Sequence, residues 1–256
     1  MSRIIRSISD FRTFYPSLQA GDLVLGPMPL KPGEEIKLWD LHDRGVVFFP
    51  ELLAQWLSRS KTAQAEVLRE FMVPGTFVAY NRADLAAGLS ALGPATEVVC
   101  KADKAHLGLG VSRWPTLESL VSLAALQVLP YPLVIQPLVE GARDFRAVVV
   151  GDYAEAYERA NPHSFRKNLF QGGSSHPARL APEHWDFCRR AMARGRFPYA
   201  VVDLLLSPSE EIFLSEINLK GGLKGSQLGQ TGFRERVRHL EEELARQWES
   251  SSKTRL

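Results

Sequence analysis

The chain is poor in cysteine, with only Cys100 and Cys188 among its 256 residues. Two thiols so far apart make neither a disulfide framework nor a metal knuckle, and they read as buried groups in a reducing compartment. Net charge is also nearly absent. The 31 Lys+Arg stand against 29 Asp+Glu, a formal +2, so bulk electrostatics give no reason to expect a nucleic acid or an acidic membrane as partner. Long apolar runs are missing too. Stretches such as Ala200 to Leu206 are interrupted by Asp203 and fall short of the ~20 residues a membrane span needs. Met1-Ser2-Arg3-Ile4-Ile5-Arg6 carries no signal-peptide core. These absences lead to the expectation of a soluble, cytoplasmic chain. No internal repeat, low-complexity tract or Walker-type Gly-Lys-Ser/Thr loop occurs.

What is present is globular in balance: 45% hydrophobic and 23% charged residues, which argues against disorder. Leu23 to Leu25 and Val46 to Phe49 read as short strands flanking a helix within Gly33 to Asp43. Pro50 opens a helix through Trp56, and Thr62 to Met72 is helical up to Pro74-Gly75. Strands are expected over Thr76 to Tyr80, Glu97 to Lys101 and Leu133 to Gln136. Helices are expected from Asn81 to Leu92 and from Thr116 to Leu126. Beyond Asp144, a Gly151-Asp152 turn joins two strands as a hairpin, and Asn161 to Ser175 reads as a loop. Pro182 to Arg194 is helical, Tyr199 to Leu206 and Glu211 to Asn218 form a second hairpin, and Phe233 to Trp248 is an amphipathic helix before a frayed tail. Helices mixed with antiparallel hairpins indicate an α+β fold.

Three groups of residues carry possible chemistry. Glu216 and Asn218 are two apart on one strand and share a face; Asp203 on the neighbouring strand can sit opposite. Two carboxylates and an amide oxygen suit Mg2+, although the polar side of a half-exposed sheet has the same composition. Lys101 ends a strand before a loop containing Gly108 and Gly110, which is either a plain turn or a cradle of backbone N–H groups for polyphosphate. Arg146, Arg159, Arg166 and Lys167, followed by Asn168 and Gly172-Gly173, form a run of cations. Asp144 and Arg146 share a face, and arginine forks suit carboxylate or phosphate oxygens; a solvated basic face is the other reading.

In order and spacing these segments, from about Lys61 to Gly225, resemble the ATP-grasp superfamily, in particular its ribosomal-protein glutamate ligase and glutathione-synthase-like branch. The likeness rests on Ser60-Lys61 with Val73-Pro74-Gly75-Thr76, on Lys101 with Gly108-Leu109-Gly110-Val111, and on Gln136-Pro137-Leu138-Val139. It continues through Asp144-Phe145-Arg146, Glu158-Arg159, Phe165-Arg166-Lys167-Asn168, Asp203 and Glu216-Ile217-Asn218. The resemblance implies an ATP-grasp fold, two α+β lobes clasping ATP behind a shortened α/β region. The expected divisions are 1–60 for that region, 61–137 for the lobe with the glycine loop, 138–248 for the lobe with the metal site, and 249–256 for the tail.

It further implies that Lys61 and Lys101 contact the phosphates and that Pro137 and Leu138 offer backbone groups to adenine. Asp144 positions the nucleotide, and Arg166, Lys167 and Asn168 line its phosphate side. Asp203, Glu216 and Asn218 hold Mg2+, or Mn2+ in its place. Arg146 and Arg159 stabilise the transferring phosphoryl group. The implied activity joins a carboxylate to an amine through an acyl-phosphate, releasing ADP and phosphate; the alternatives are a kinase of the same fold and a nucleotide-binding regulatory module. The substrates would be metabolite or peptide carboxylates and amines, and a protein acceptor or a homo-oligomer stays open. Ala102, Ala105-His106 and Lys220-Gly221 depart from the family pattern, and the segment before Lys61 is short, so acceptor recognition is expected to be reduced or supplied by a partner.

Overall fold

The structure is a computed structural model that describes residues 2–103, 110–162, 164–165 and 172–254. The chain opens with β1 (Ile4–Ile5), α1 (Ile8–Phe14), β2 (Leu23–Leu25), α2 (Ile36–Asp43) and β3 (Val47–Phe49). The three strands pair in parallel in the order β1-β2-β3. Parallel neighbours need crossovers, and α1 and α2 supply them, burying Phe11, Leu18 and Leu41 against the sheet. Ser7 caps α1 by accepting the Asp10 N–H.

Two short helices follow, α3 (Leu52–Leu57) and α4 (Lys61–Val67). Ser60 caps α4 by accepting the Ala63 N–H. The expected run to Met72 does not stay α-helical: it passes at Leu68 into a 3-10 turn over Arg69–Phe71. Next come β4 (Phe77–Ala79), α5 (Arg82–Leu92), β5 (Val98–Ala102), β6 (Val111–Trp114), α6 (Leu117–Ala124) and β7 (Leu133–Pro137). The strands form an antiparallel sheet ordered β4-β7-β5-β6. Asn81 caps α5 as its sequence position suggested, accepting from Ala83 and Asp84. Gly88 lets α5 settle on β4, since a Cβ there would collide with the Phe77 ring.

The third sheet is antiparallel and ordered β10-β9-β8-β11-β12, from β8 (Arg143–Val150), β9 (Tyr153–Ala160), β10 (Ser174–Ala178), β11 (Tyr199–Leu206) and β12 (Ile212–Asn218). Gly151 turns the first hairpin with φ +61, a left-handed conformation that glycine adopts without a Cβ clash. α7 (Pro182–Arg194) packs on β11 and β12. The largest core joins this sheet to α3 and α4 through Leu57, Leu68, Tyr199 and Ile217. α8 (Gly229–Thr254) continues past Trp248, where the sequence had suggested fraying. It packs Ala245 against Leu23 and Leu25, and the Trp248 indole donates to Gly21 O at 2.9 Å, joining the last helix to the first sheet. No described helix is long and apolar enough to cross a membrane.

Candidate active site

Strand register builds one chemical face. Asp203 on β11 lies between Arg146 on β8 and Glu216 on β12, while Asp144 on β8 pairs with Arg159 on β9. Directly opposed residues share a face, so two arginines and three carboxylates gather on the side that lines a cleft of about 1210 Å³. From the four-stranded sheet, Lys101 lines the same cleft, as does Lys61 at the start of α4.

The charges are paired. Arg146 grips Asp203 with two parallel hydrogen bonds, Nε to Oδ1 at 2.6 Å and Nη2 to Oδ2 at 2.7 Å, and its Nη1 donates to Gly222 O at 2.6 Å. Arg159 donates Nε to Asp144 Oδ1 at 2.5 Å and approaches Asp203 Oδ2 with Nη2 at 3.3 Å. Burial alone would raise Asp203, but Arg146 and Arg159 outweigh it and hold the carboxyl down at about 2. For Asp144 burial wins over the pull of Arg159 and its pKa rises. Both guanidinium groups are raised, the carboxylates overcoming the cost of burial.

A β-bulge aims the last strand. Pairing runs Asp203 to Glu216 and then Leu204 to Leu214, leaving Ser215 unpaired. The extra residue switches the alternation. Leu214 and Ile217, three apart, both enter the core, while Glu216 and Asn218 turn to the cleft. Ser215 itself receives Lys101, whose ammonium donates to Ser215 O at 3.2 Å, to Ser215 Oγ at 3.3 Å and to Gln136 Oε1 at 2.9 Å. Lys61 Nζ stands 3.5 Å from Glu216 Oε1. Both lysines thus meet β12, one at the bulge and one at its carboxylate.

Burial lowers the Lys101 ammonium to about 8, with Glu216 opposing the shift. A polyphosphate bound beside Lys101, as the sequence leads one to expect, would favour the charged form and draw a proton onto it near this pH. ADP affinity is expected to weaken as pH rises through about 8 and to become flat in Lys101→Arg, which stays charged. Calorimetry in two buffers of different ionisation enthalpy measures both the affinity and the proton uptake.

The donor set fits a hard cation. Among the described residues no three His, Cys, Asp or Glu side chains gather as a ready-made metal site. The candidate trio is instead two carboxylates and an amide, the kind of incomplete oxygen set that Mg2+ completes with phosphate and water. Asn218 Nδ2 donates to Glu216 Oε1 at 3.1 Å, which orients the pair. Asp203 already accepts from two arginines, but a carboxylate has about four lone-pair directions and retains capacity.

The other sequence candidates fall as follows. Pro137 ends β7; the Leu138 N–H donates to Glu97 O at 2.9 Å. Proline has no N–H, so neither residue keeps a free amide donor and only their carbonyl oxygens remain for a ligand. Gly110 O accepts the Ala102 N–H at 2.7 Å and closes the base of the β5–β6 connection. Gly108, Arg166, Lys167 and Asn168 lie outside the described residues. Lys220 is exposed and lines the cleft.

Two positioning residues escaped the sequence reading. Gln64, buried in α4, donates to Ile217 O at 2.9 Å and accepts the Ile217 N–H at 2.9 Å, acting as a one-residue strand against the edge of β12. Ser58 Oγ accepts the Leu219 N–H at 2.9 Å. These contacts set Glu216 and Asn218 relative to Lys61. Gln64→Leu would strand both Ile217 groups in the core, at about 1–3 kcal/mol each. We expect a lowered denaturation midpoint and slower turnover, checked by urea unfolding and ADP release.

The fold is that of the ATP-grasp enzymes. D-alanyl-alanine synthetase A from Vibrio cholerae superposes with a TM-score of 0.55 at 14% identity, covering 90% of this chain and 76% of that one. Residues 55–232 match the RimK-like ATP-grasp domain family, and the chain belongs to it. It is 29% identical over 225 residues to the ribosomal protein bS6–L-glutamate ligase of Escherichia coli O7:K1, covering 86% of this chain and 72% of that protein. It is 30% identical over 188 residues to a protein named probable alpha-L-glutamate ligase 1 of Hahella chejuensis, covering 71% of this chain and 61% of that one. The class of chemistry is ATP-dependent joining of a carboxylate to an amine, with ADP released.

Proposed function

We propose that this chain uses Mg2+ and ATP to condense an amine, of the amino-acid type, with a carboxylate of a peptide or protein. The observation that carries the reading is the meeting of two lysines from one side of the cleft with the Asp203–Glu216–Asn218 face of β11 and β12. Lys61 and Lys101 would bind the phosphates, and Asp203, Glu216 and Asn218 would hold the cation. Bound there, Mg2+ would neutralise phosphate charge and withdraw electrons from the transferring group. Arg146 and Arg159, with their remaining N–H groups, would face the charge on the γ-phosphoryl and on the acyl-phosphate.

The chemistry needs positioning more than a protein nucleophile. A substrate carboxylate oxygen attacks the γ-phosphorus and ADP leaves. The amine nitrogen then attacks the acyl carbon, phosphate departs, and the nitrogen loses a proton. Exclusion of water from the cleft would protect the acyl-phosphate from hydrolysis. The peptide-type acceptor is supported by the names of the relatives and by the length of the cleft, which runs from the nucleotide lysines to Pro27, Met28 and Arg59 of the first α/β region.

The test is a mass-spectrometric screen of amino acids with peptides and cell extract for ATP-dependent condensation products, alongside hydroxylamine trapping. Hydroxamate and an amide product with stoichiometric ADP are expected. A stable phosphorylated product without hydroxamate would instead make the protein a kinase.

A further inference from the structure

The first α/β region carries an aromatic groove beside the cleft. Trp39 on α2 and Trp56 on α3 meet edge to face, ring centroids 6.2 Å apart, yet remain 44% and 41% exposed. With Leu38 and Leu52 they line a groove that shares two residues with the cleft, Gln55 and Arg59. One short stretch therefore runs from exposed tryptophan to the nucleotide side, with Trp56, Arg59 and Lys61 in succession. Exposed tryptophans side by side are unusual on a surface without a partner.

The junction holds a second, independent sign of a ligand. Gln55 is 3% exposed; its Nε2 donates to Pro50 O at 2.8 Å, while its Oε1 is buried with no hydrogen-bond partner among the described residues. A buried acceptor left unpaired costs roughly 1–3 kcal/mol, and an arriving N–H donor removes that cost. Beside it the Arg59 guanidinium donates to Met28 O at 3.2 Å and lines the cleft, where exposed Lys220 and Lys224 add positive charge. Glu35 is the acidic member of the groove, and its carboxylate accepts the Gly33 N–H at 2.6 Å.

We propose that this groove docks the acceptor polypeptide upstream of its reactive end: an apolar side chain against Trp39 and Trp56, a backbone N–H on Gln55 Oε1, and an acidic terminus led past Arg59 into the cleft. The inference rests on the peptide-acceptor reading above and names the surface that reading lacks. It would give the first region a part in acceptor recognition, which the sequence left to a reduced region or to a partner.

The test uses full-length protein and fluorescent synthetic peptides ending in a run of glutamates, with a phenylalanine stepped through upstream positions and alanine in its place as control. The best-placed phenylalanine peptide should bind wild type at least about tenfold more tightly than the Trp39→Ala, Trp56→Ala protein, and the alanine peptide should lose a similar factor. ADP affinity should not change. Trp39→Gln alone, at a side chain nearly half exposed, carries the test if the double variant does not fold. Equal binding to wild type and variant overturns the proposal, as does absence of binding to any peptide, or burial of the tryptophans in a self-dimer seen by sedimentation. Tryptophan-dependent binding without turnover would keep the groove and refute the peptide-acceptor reading. Peptide turnover indifferent to the tryptophans would do the reverse.

Discussion

Replacing Glu216 with alanine should lower the rate of ADP release by about a thousandfold, roughly 4 kcal/mol of transition-state stabilisation, while the protein stays folded. The separation of the two effects follows from where the side chain sits. Its carboxylate is 27% exposed on the cleft face, and its strand neighbours Leu214 and Ile217, not Glu216, fill the core. Removing it takes away one of two candidate metal carboxylates and the partner of Lys61 at 3.5 Å. The loss should show in kcat and in Mn2+ affinity measured with ADP bound, with the circular-dichroism spectrum unchanged. Glu216→Gln should recover little, because it keeps the shape but not the charge. A variant with wild-type rate would remove Glu216 from the site.

Asp203→Ala should behave in the opposite way and damage the fold as well as the activity. Asp203 is 8% exposed and neutralises two arginines at once. Without it Arg146 loses its carboxylate partner while Arg159 keeps only Asp144, and breaking a buried pair in this way costs about 3–5 kcal/mol. Arg146→Ala should cost a similar amount, since it leaves Asp203 with the more distant Arg159 alone. The double variant should lose less than the sum of the two, which denaturant midpoints will measure. The pH dependence has a definite sign. The folded carboxyl of Asp203, at about 2, lies below its ordinary 3.8. Its contribution is therefore complete above about pH 4 and is lost as pH falls from there through about 2. Asp144, raised by burial, works against stability at neutral pH, and its cost lessens as the solution is acidified.

Much of this arrangement was legible in the sequence because it follows from alternation. Glu216 and Asn218 had to share a face, Asp203 sat in an apolar strand where a carboxylate needs a partner, and the Gly151-Asp152 turn set Asp144 and Arg146 on the first hairpin. The helix cap at Asn81 was legible for a similarly local reason. What the sequence hid depends on partners far along the chain. The bulge at Ser215 shows only as a three-residue spacing between Leu214 and Ile217, which has no meaning until β11 lies beside it. Gln64 reaches Ile217 across 153 positions, and no local pattern marks a glutamine that completes a strand edge. β10, with Ser174, Ser175, His176 and Pro177, is a polar edge strand without alternation, so its first two residues read as loop and the rest carried no strand signal; edge strands tolerate proline and polar residues. β6 follows Gly110 so closely that it merged with the loop.

The pairing of Asp203 with Arg146 was the least accessible feature. The sequence set the aspartate and the arginines in separate roles, metal on one side and phosphoryl group on the other. In the structure they form one buried network, so the charges that would hold the cation and those that would meet the phosphates adjust together. That coupling is why Asp203 and Glu216, opposed in register on adjacent strands, should respond so differently to removal.

A crystal structure of the protein grown with ADP and Mg2+ tests the account most directly. It should show the cation about 2.0–2.1 Å from oxygens of Asp203, Glu216 and Asn218, with the diphosphate facing Lys61 and Lys101. A cation held elsewhere, or a diphosphate turned away from both lysines, would contradict it.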